Sequence, residues 1–141
     1  MGDSTAAIRF FGDDLVPDEL SKLLGCQPTD ACLKGGASDV GQLLPDGTRV
    51  ANSGRWILDA ERKEPVDIDK QVTEILGKMT NDLNVWRDLR SKCSTIDIFC
   101  GVFKSGEGDG IFLTASSLAA LGQRGIDLAV DIYGEILPDE K

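Results

Sequence analysis

The chain has 141 residues, of which 41% are apolar and 28% charged, and 24 acidic side chains against 15 basic ones leave a net charge of −9. That composition supports one core in one domain and excludes a disordered chain. The acidic balance disfavours nucleic acid and anionic membrane as partners and suits a basic protein.

The first strand is expected over residues 5–11, where Ala6, Ile8 and Phe10 point one way and Ala7, Arg9 and Phe11 the other. Gly12-Asp13-Asp14 breaks it. A short helix follows from Pro17, with Asp18 and Glu19 in its first turn and Leu20, Leu23 and Leu24 as its stripe. Gly25 is placed to end it. Residues 27–34 read as a second, weaker strand. Residues 35–50 read as a loose region ending in the turn signal Pro45-Asp46-Gly47.

Residues 54–59 form the next strand, with Trp56, Ile57 and Leu58. A helix capped by Asp67 carries Ile68, Val72, Ile75, Leu76 and Met79 on one face. A shorter helix, or a kinked continuation, runs over 83–92 with Trp86 and Leu89. Residues 95–103 form a strong strand, 105–110 a hairpin-type loop, and 110–113 a short strand. Thr114 caps a helix with Leu118 and Leu121 that Gly125 closes. The last strand covers 126–133, where Ile126, Leu128, Val130 and Ile132 alternate with Asp127, Ala129, Asp131 and Tyr133.

The order is β-α-β-β-α(α)-β-β-α-β. Residues 52–134 alone read as the ferredoxin-like β-α-β-β-α-β, and 5–34 resembles 110–134 as a weak internal repeat. The expected fold is α+β, a single domain with ferredoxin-like repeats and a largely antiparallel sheet whose helices pack on one face.

Several chemistries are excluded. There is no histidine, so Ser-His-Asp and Cys-His systems and imidazole metal sites are out. Cys26 and Cys32, and Cys93 and Cys100, are spaced too widely for zinc knuckles. Buried thiols are the better reading, and no metal or cofactor is expected. The 105–110 loop lacks both a calcium ligand set and the Lys-Ser/Thr pair of a phosphate cradle. Asp13, Asp14 and Asp18 suit a helix N-terminus without any catalytic role. No basic-apolar leader opens the sequence, and a cytoplasmic location is expected.

The segments Ile8-Arg9-Phe10-Phe11-Gly12, Pro17-Asp18-Glu19-Leu20, Pro28-Thr29 with Lys34-Gly35, and Ser53-Gly54-Arg55-Trp56-Ile57-Leu58 resemble a bacterial family known as domain of unknown function 4279. Phe99-Cys100-Gly101, Gly108-Asp109-Gly110 and Leu128-Ala129-Val130-Asp131-Ile132-Tyr133 fit it as well. Cys32 departs from the pattern, where an aromatic is expected before Lys34-Gly35. The resemblance covers nearly the whole chain. It implies a bacterial source and one domain, and no catalytic residues to carry over.

Two candidate sites remain. The first is the sheet face turned away from the helices. There the alternation puts Arg9, Phe11, Asp97, Phe99, Phe103, Asp127, Asp131 and Tyr133 together, an aromatic and acidic surface with few basic groups. Pattern alone leaves open whether the 35–51 loop covers it. Its aspartates stand where an RNA-binding sheet needs Arg and Lys. The second is a pocket for an anionic small ligand at Lys34 and at Arg55 beside Trp56. The leading expectation is a non-enzymatic protein-binding module, with a bacterial immunity-type inhibitor of a basic protein as one version. The alternative is a small-ligand regulatory domain. An exposed edge strand would also serve a homodimer.

Overall fold

The structure, a computed structural model, describes residues 2–104 and 110–134. Among these, seven strands and four helices follow in the order β1 (Asp3–Gly12), α1 (Pro17–Leu24), β2 (Asp30–Cys32), β3 (Ala37–Leu43), β4 (Arg49–Val50), β5 (Gly54–Asp59), α2 (Ile68–Gly77), α3 (Leu83–Lys92), β6 (Thr95–Phe103), α4 (Ala115–Arg124) and β7 (Asp127–Tyr133).

Five strands make the main sheet, in the order β2-β5-β1-β6-β7. All neighbours are antiparallel except β6 and β7. The β1-α1-β2 unit is therefore split by β5, and the β5-α2-α3-β6 unit is split by β1. Two such interlocked units fix the centre of the sheet, and α4 carries the chain on to a parallel edge strand.

The β-α-β-β-α-β order expected over residues 52–134 is not laid down there, because residues 110–113 are coil. The reason is positional. Strand β6 already has β1 on one side and β7 on the other, so no ladder next to it is left for 110–113. Ile111 and Phe112 stay exposed, Phe112 at 73%. The loop expected at 105–110 falls almost wholly outside the described residues.

The 35–50 region holds more order than its sequence suggests. Strands β3 and β4 form a small two-stranded sheet of their own. Its turn is closed by Leu44 N–H donating to Thr48 O at 2.7 Å and by Asp46 accepting from the Thr48 N–H and hydroxyl. Gly47, at φ +91°, supplies the left-handed step that turn needs.

Helix ends follow local chemistry. Asp67 accepts from Lys70 N, Asp82 from Asn84 N and Thr114 from Ser117 N, each as an N-cap. The separate Asp82 cap makes α3 a helix in its own right rather than a kinked continuation of α2. Gly25 and Gly125 end α1 and α4 in the left-handed region.

The core lies between one face of the sheet and the helices. Ser4, Ala6, Ile8 and Phe10 of β1 point into it, joined by Trp56 and Leu58 of β5 and by Ile96, Ile98, Cys100 and Val102 of β6. Phe10 is its pivot. Its ring meets Trp56 edge-on at 5.4 Å and stacks on Trp86 at 5.8 Å. Each indole N–H finds a partner, Trp56 on Ser21 Oγ and Trp86 on Thr80 O.

A buried polar knot ties β1 to α2. Ser4 Oγ donates to Gln71 Oε1 at 2.7 Å, and Gln71 Nε2 donates to Ser4 O and Glu61 O. Among the described residues no helix is long and apolar enough to cross a membrane.

Candidate binding face

The outer face of the sheet is built by the odd-numbered residues of β1, β5, β6 and β7, joined by Asp30 and Cys32 of β2. Ladder register aligns Arg9 with Asp97 and Asp127, Ala7 with Phe99 and Ala129, and Asp3 with Phe103 and Tyr133. Because side chains alternate with period two, these all project from the side opposite the helices.

Arg9 sits at the centre. Its Nε and Nη2 donate to the two carboxylate oxygens of Asp97 at 2.9 and 2.8 Å. This two-pronged pair accounts for an aspartate that is only 8% exposed on a sheet face without helices. The Asp97 hydrogen bond, partly offset by burial, raises the Arg9 pKa, and the charges of Asp97 and Asp131 add to it. The guanidinium also lies 4.6 Å from the Phe99 ring centre and 5.4 Å from that of Phe11.

A second cluster stands further along β6. Phe103 stacks on Tyr133 at 5.0 Å with ring planes 15° apart. Gly101 makes room for it, since a Cβ there would stand 3.2 Å from the Phe103 ring. Arg62, from the loop after β5, pairs with Asp3 and lies 4.9 Å from the Phe103 ring centre. The Tyr133 hydroxyl donates to Asp131 at 3.1 Å, and that bond raises the tyrosine pKa.

Eight of the eleven predicted site residues therefore come together: Arg9, Phe11, Asp97, Phe99, Phe103, Asp127, Asp131 and Tyr133. The face is less poor in basic groups than the sequence suggests. Arg9, Arg55 and Arg62 all stand on or beside it, each paired with an aspartate. Nothing in the local pattern of 60–64 marks Arg62 as a side chain that reaches across to β6. Asp59, Asp127 and Asp131 are in no ion pair among the described residues, so the face keeps a surplus of acid.

Among the described residues the 37–50 hairpin meets the face at one corner. Arg55 Nη1 donates to Ser38 Oγ at 3.1 Å, and Cys32 Sγ approaches Ala37 O at 3.6 Å. Both contacts lie at the β2–β5 edge. Asp131 stays exposed, and Tyr133 is 45% exposed.

The three remaining predicted residues do not form the expected pocket. Trp56 is fully buried in the core on the opposite face from Arg55, as the two-residue period of β5 requires. Lys34 pairs with Asp13 at 3.3 Å. It does not line the open cleft of about 410 Å³ that Arg55 shares with Asp30, Ser38 and Arg49. Both arginines of that cleft are already engaged, Arg55 by Asp30 at 2.7 Å and Arg49 by Gly41 O at 3.0 Å.

Of the four thiols expected to be buried, only Cys100 is; Cys26 and Cys93 are half-buried against the core, and Cys32 is half-buried at the β2 edge beside Leu33 O and Ala37 O. Burial pushes Cys100 up to about 12 and Cys93 up to about 11. No group of His, Cys, Asp and Glu among the described residues is arranged to hold a metal ion.

Neither the curated proteins nor the solved structures contain a match to this chain. The model of the domain of unknown function DUF4279 matches residues 3–135, a span that takes in both interlocked β-α-β units and the edge strand β7. The chain belongs to the DUF4279 family.

Proposed function

We propose that the protein is a non-enzymatic, cytoplasmic binding module that docks a basic protein on the outer face of its sheet. The observation that supports this reading is the combination on that face. Aromatic rings fixed by stacking and by arginine stand beside acids with no ion-pair partner among the described residues, and the helices pack on the other side. Rigid aromatics give contact area at low entropic cost, and the acid surplus gives orientation and speed of association. One concrete form is a bacterial immunity-type protein that blocks a basic toxin.

The test is affinity capture from lysate of the source organism at low salt, followed by a high-salt wash. The parent is compared with a charge-reversed variant, Asp127→Lys with Asp131→Lys. A basic protein held by the parent, released by salt and lost from the variant is the expected result. Equal retention by parent and variant, or no retained protein, would count against the reading.

A further inference from the structure

The groove between α2 and α4 lies in the helix layer and owes nothing to the outer face. It encloses about 360 Å³, within the range of small-molecule sites. Val72, Leu76, Met79 and Ala120 give it an apolar floor, and Thr73 and Ser116 add hydroxyls. No residue lining it is acidic. From Ser116 to Arg124 it follows α4 for ~12 Å at 1.5 Å per residue.

Arg124 stands at one end. Its Nη1 donates to Ala120 O at 3.1 Å. Its Nε is out of reach of solvent and has no hydrogen-bond partner among the described residues. Among the described residues it is in no ion pair, in a chain with 24 acids for 15 bases. A cation in the last turn of α4 is favourable in itself, and the guanidinium lies 6.0 Å from the Trp86 ring centre. Those two effects explain why a basic residue is tolerated there. They leave the Nε proton unbonded, which is costly for a buried donor.

We propose that this groove binds a small organic carboxylate with an apolar tail, anchored by Arg124. A carboxylate matches the two-pronged donor edge of a guanidinium. Turning that edge into the groove gives up one bond to a neutral carbonyl and gains two to an anion. The apolar floor then takes the tail. The site is independent of the outer-face reading, and either can fail alone.

The test is titration of the ¹⁵N-labelled protein with octanoate, with octanol and inorganic phosphate as separate probes. Octanoate is expected to give saturable amide shifts at Thr73, Leu76, Ala120 and Arg124, and neither of the others is. Arg124→Gln should weaken octanoate by about tenfold or more. Ala120→Phe, which fills the groove and keeps the guanidinium, should do the same, and it decides the matter alone if Arg124→Gln does not fold. The proposal is overturned by the absence of saturable shifts or by shifts confined to other elements. Binding of octanol or phosphate as tight as that of octanoate overturns it too, as does octanoate affinity unchanged in a folded variant.

Discussion

On the helix side of the sheet, Phe10, Trp56 and Trp86 interlock with no exposed surface. On the other side, Arg9, Phe11, Phe99 and Asp97 interlock as well, with a cation and an anion at their centre and a half-exposed rim. The same strands carry both. The first cluster is held by apolar burial, so removing any member leaves a hole. The second is held by a charge pair between rings, so the penalty depends on which charge is left alone. A face of the second kind can change its side chains without unfolding the molecule, which is what a recognition surface requires.

The largest effect is expected on the helix side. Trp56→Ala should cost about 3–5 kcal/mol in urea unfolding, because it empties the centre of the core and leaves Ser21 without its indole donor. A loss under about 1 kcal/mol would mean that the two faces are not as different as drawn.

The polar knot comes next. Gln71→Ala takes the side-chain donor from Glu61 O and the acceptor from the Ser4 hydroxyl proton, while Ser4 O keeps the Lys63 N–H and Ser4 Oγ keeps the Asp67 N–H. It should cost about 1–3 kcal/mol by the same measurement.

On the outer face the instructive experiment uses three variants. Arg9→Met leaves Asp97 unpaired where it is 8% exposed, and should cost about 1.5–3 kcal/mol. Adding Asp97→Leu should restore most of that, since the stranded charge is gone. Equal losses in the single and double variants would show that the pair contributes little beyond packing.

The smallest effect is a pH effect at Asp69. Hydrogen bonds from Ser117, and from the Thr114 backbone and hydroxyl, lower its pKa in the folded chain. A folded pKa below the unfolded value of about 3.9 stabilises above that value, and the gain disappears as pH falls through the folded pKa. Asp69→Asn should therefore lower the Tm near neutrality and converge with the parent in strong acid. A gap that persists in acid would place the effect elsewhere.

Local chemistry decides some regions of the molecule, and tertiary context decides the others. Strand β6, the caps at Asp67 and Thr114 and the Gly25 and Gly125 stops depend on local chemistry, and each stands where the sequence places it. The outer-face cluster was legible too, because alternation in β1, β6 and β7 fixes which side chains share a side. The β3–β4 hairpin was not, since residues 37–43 have no apolar alternation. The expected strand at 110–113 failed for a reason no local pattern contains, since its apolar run found both sides of β6 taken. Lys34, Arg55 and Trp56 were joined by nearness in sequence, although period two separates Arg55 from Trp56. Arg62 reaches Asp3 and Phe103 through tertiary placement alone.

The central claim is that the outer sheet face, and not the helix layer, meets a protein partner. Amide hydrogen exchange of the labelled protein, with and without the salt-released fraction from affinity capture, tests it most directly. Added protection is expected in residues 97–103 and 127–133, with α2 and α4 unchanged. Protection confined to the helices, with β6 and β7 exchanging as in the free protein, would contradict it.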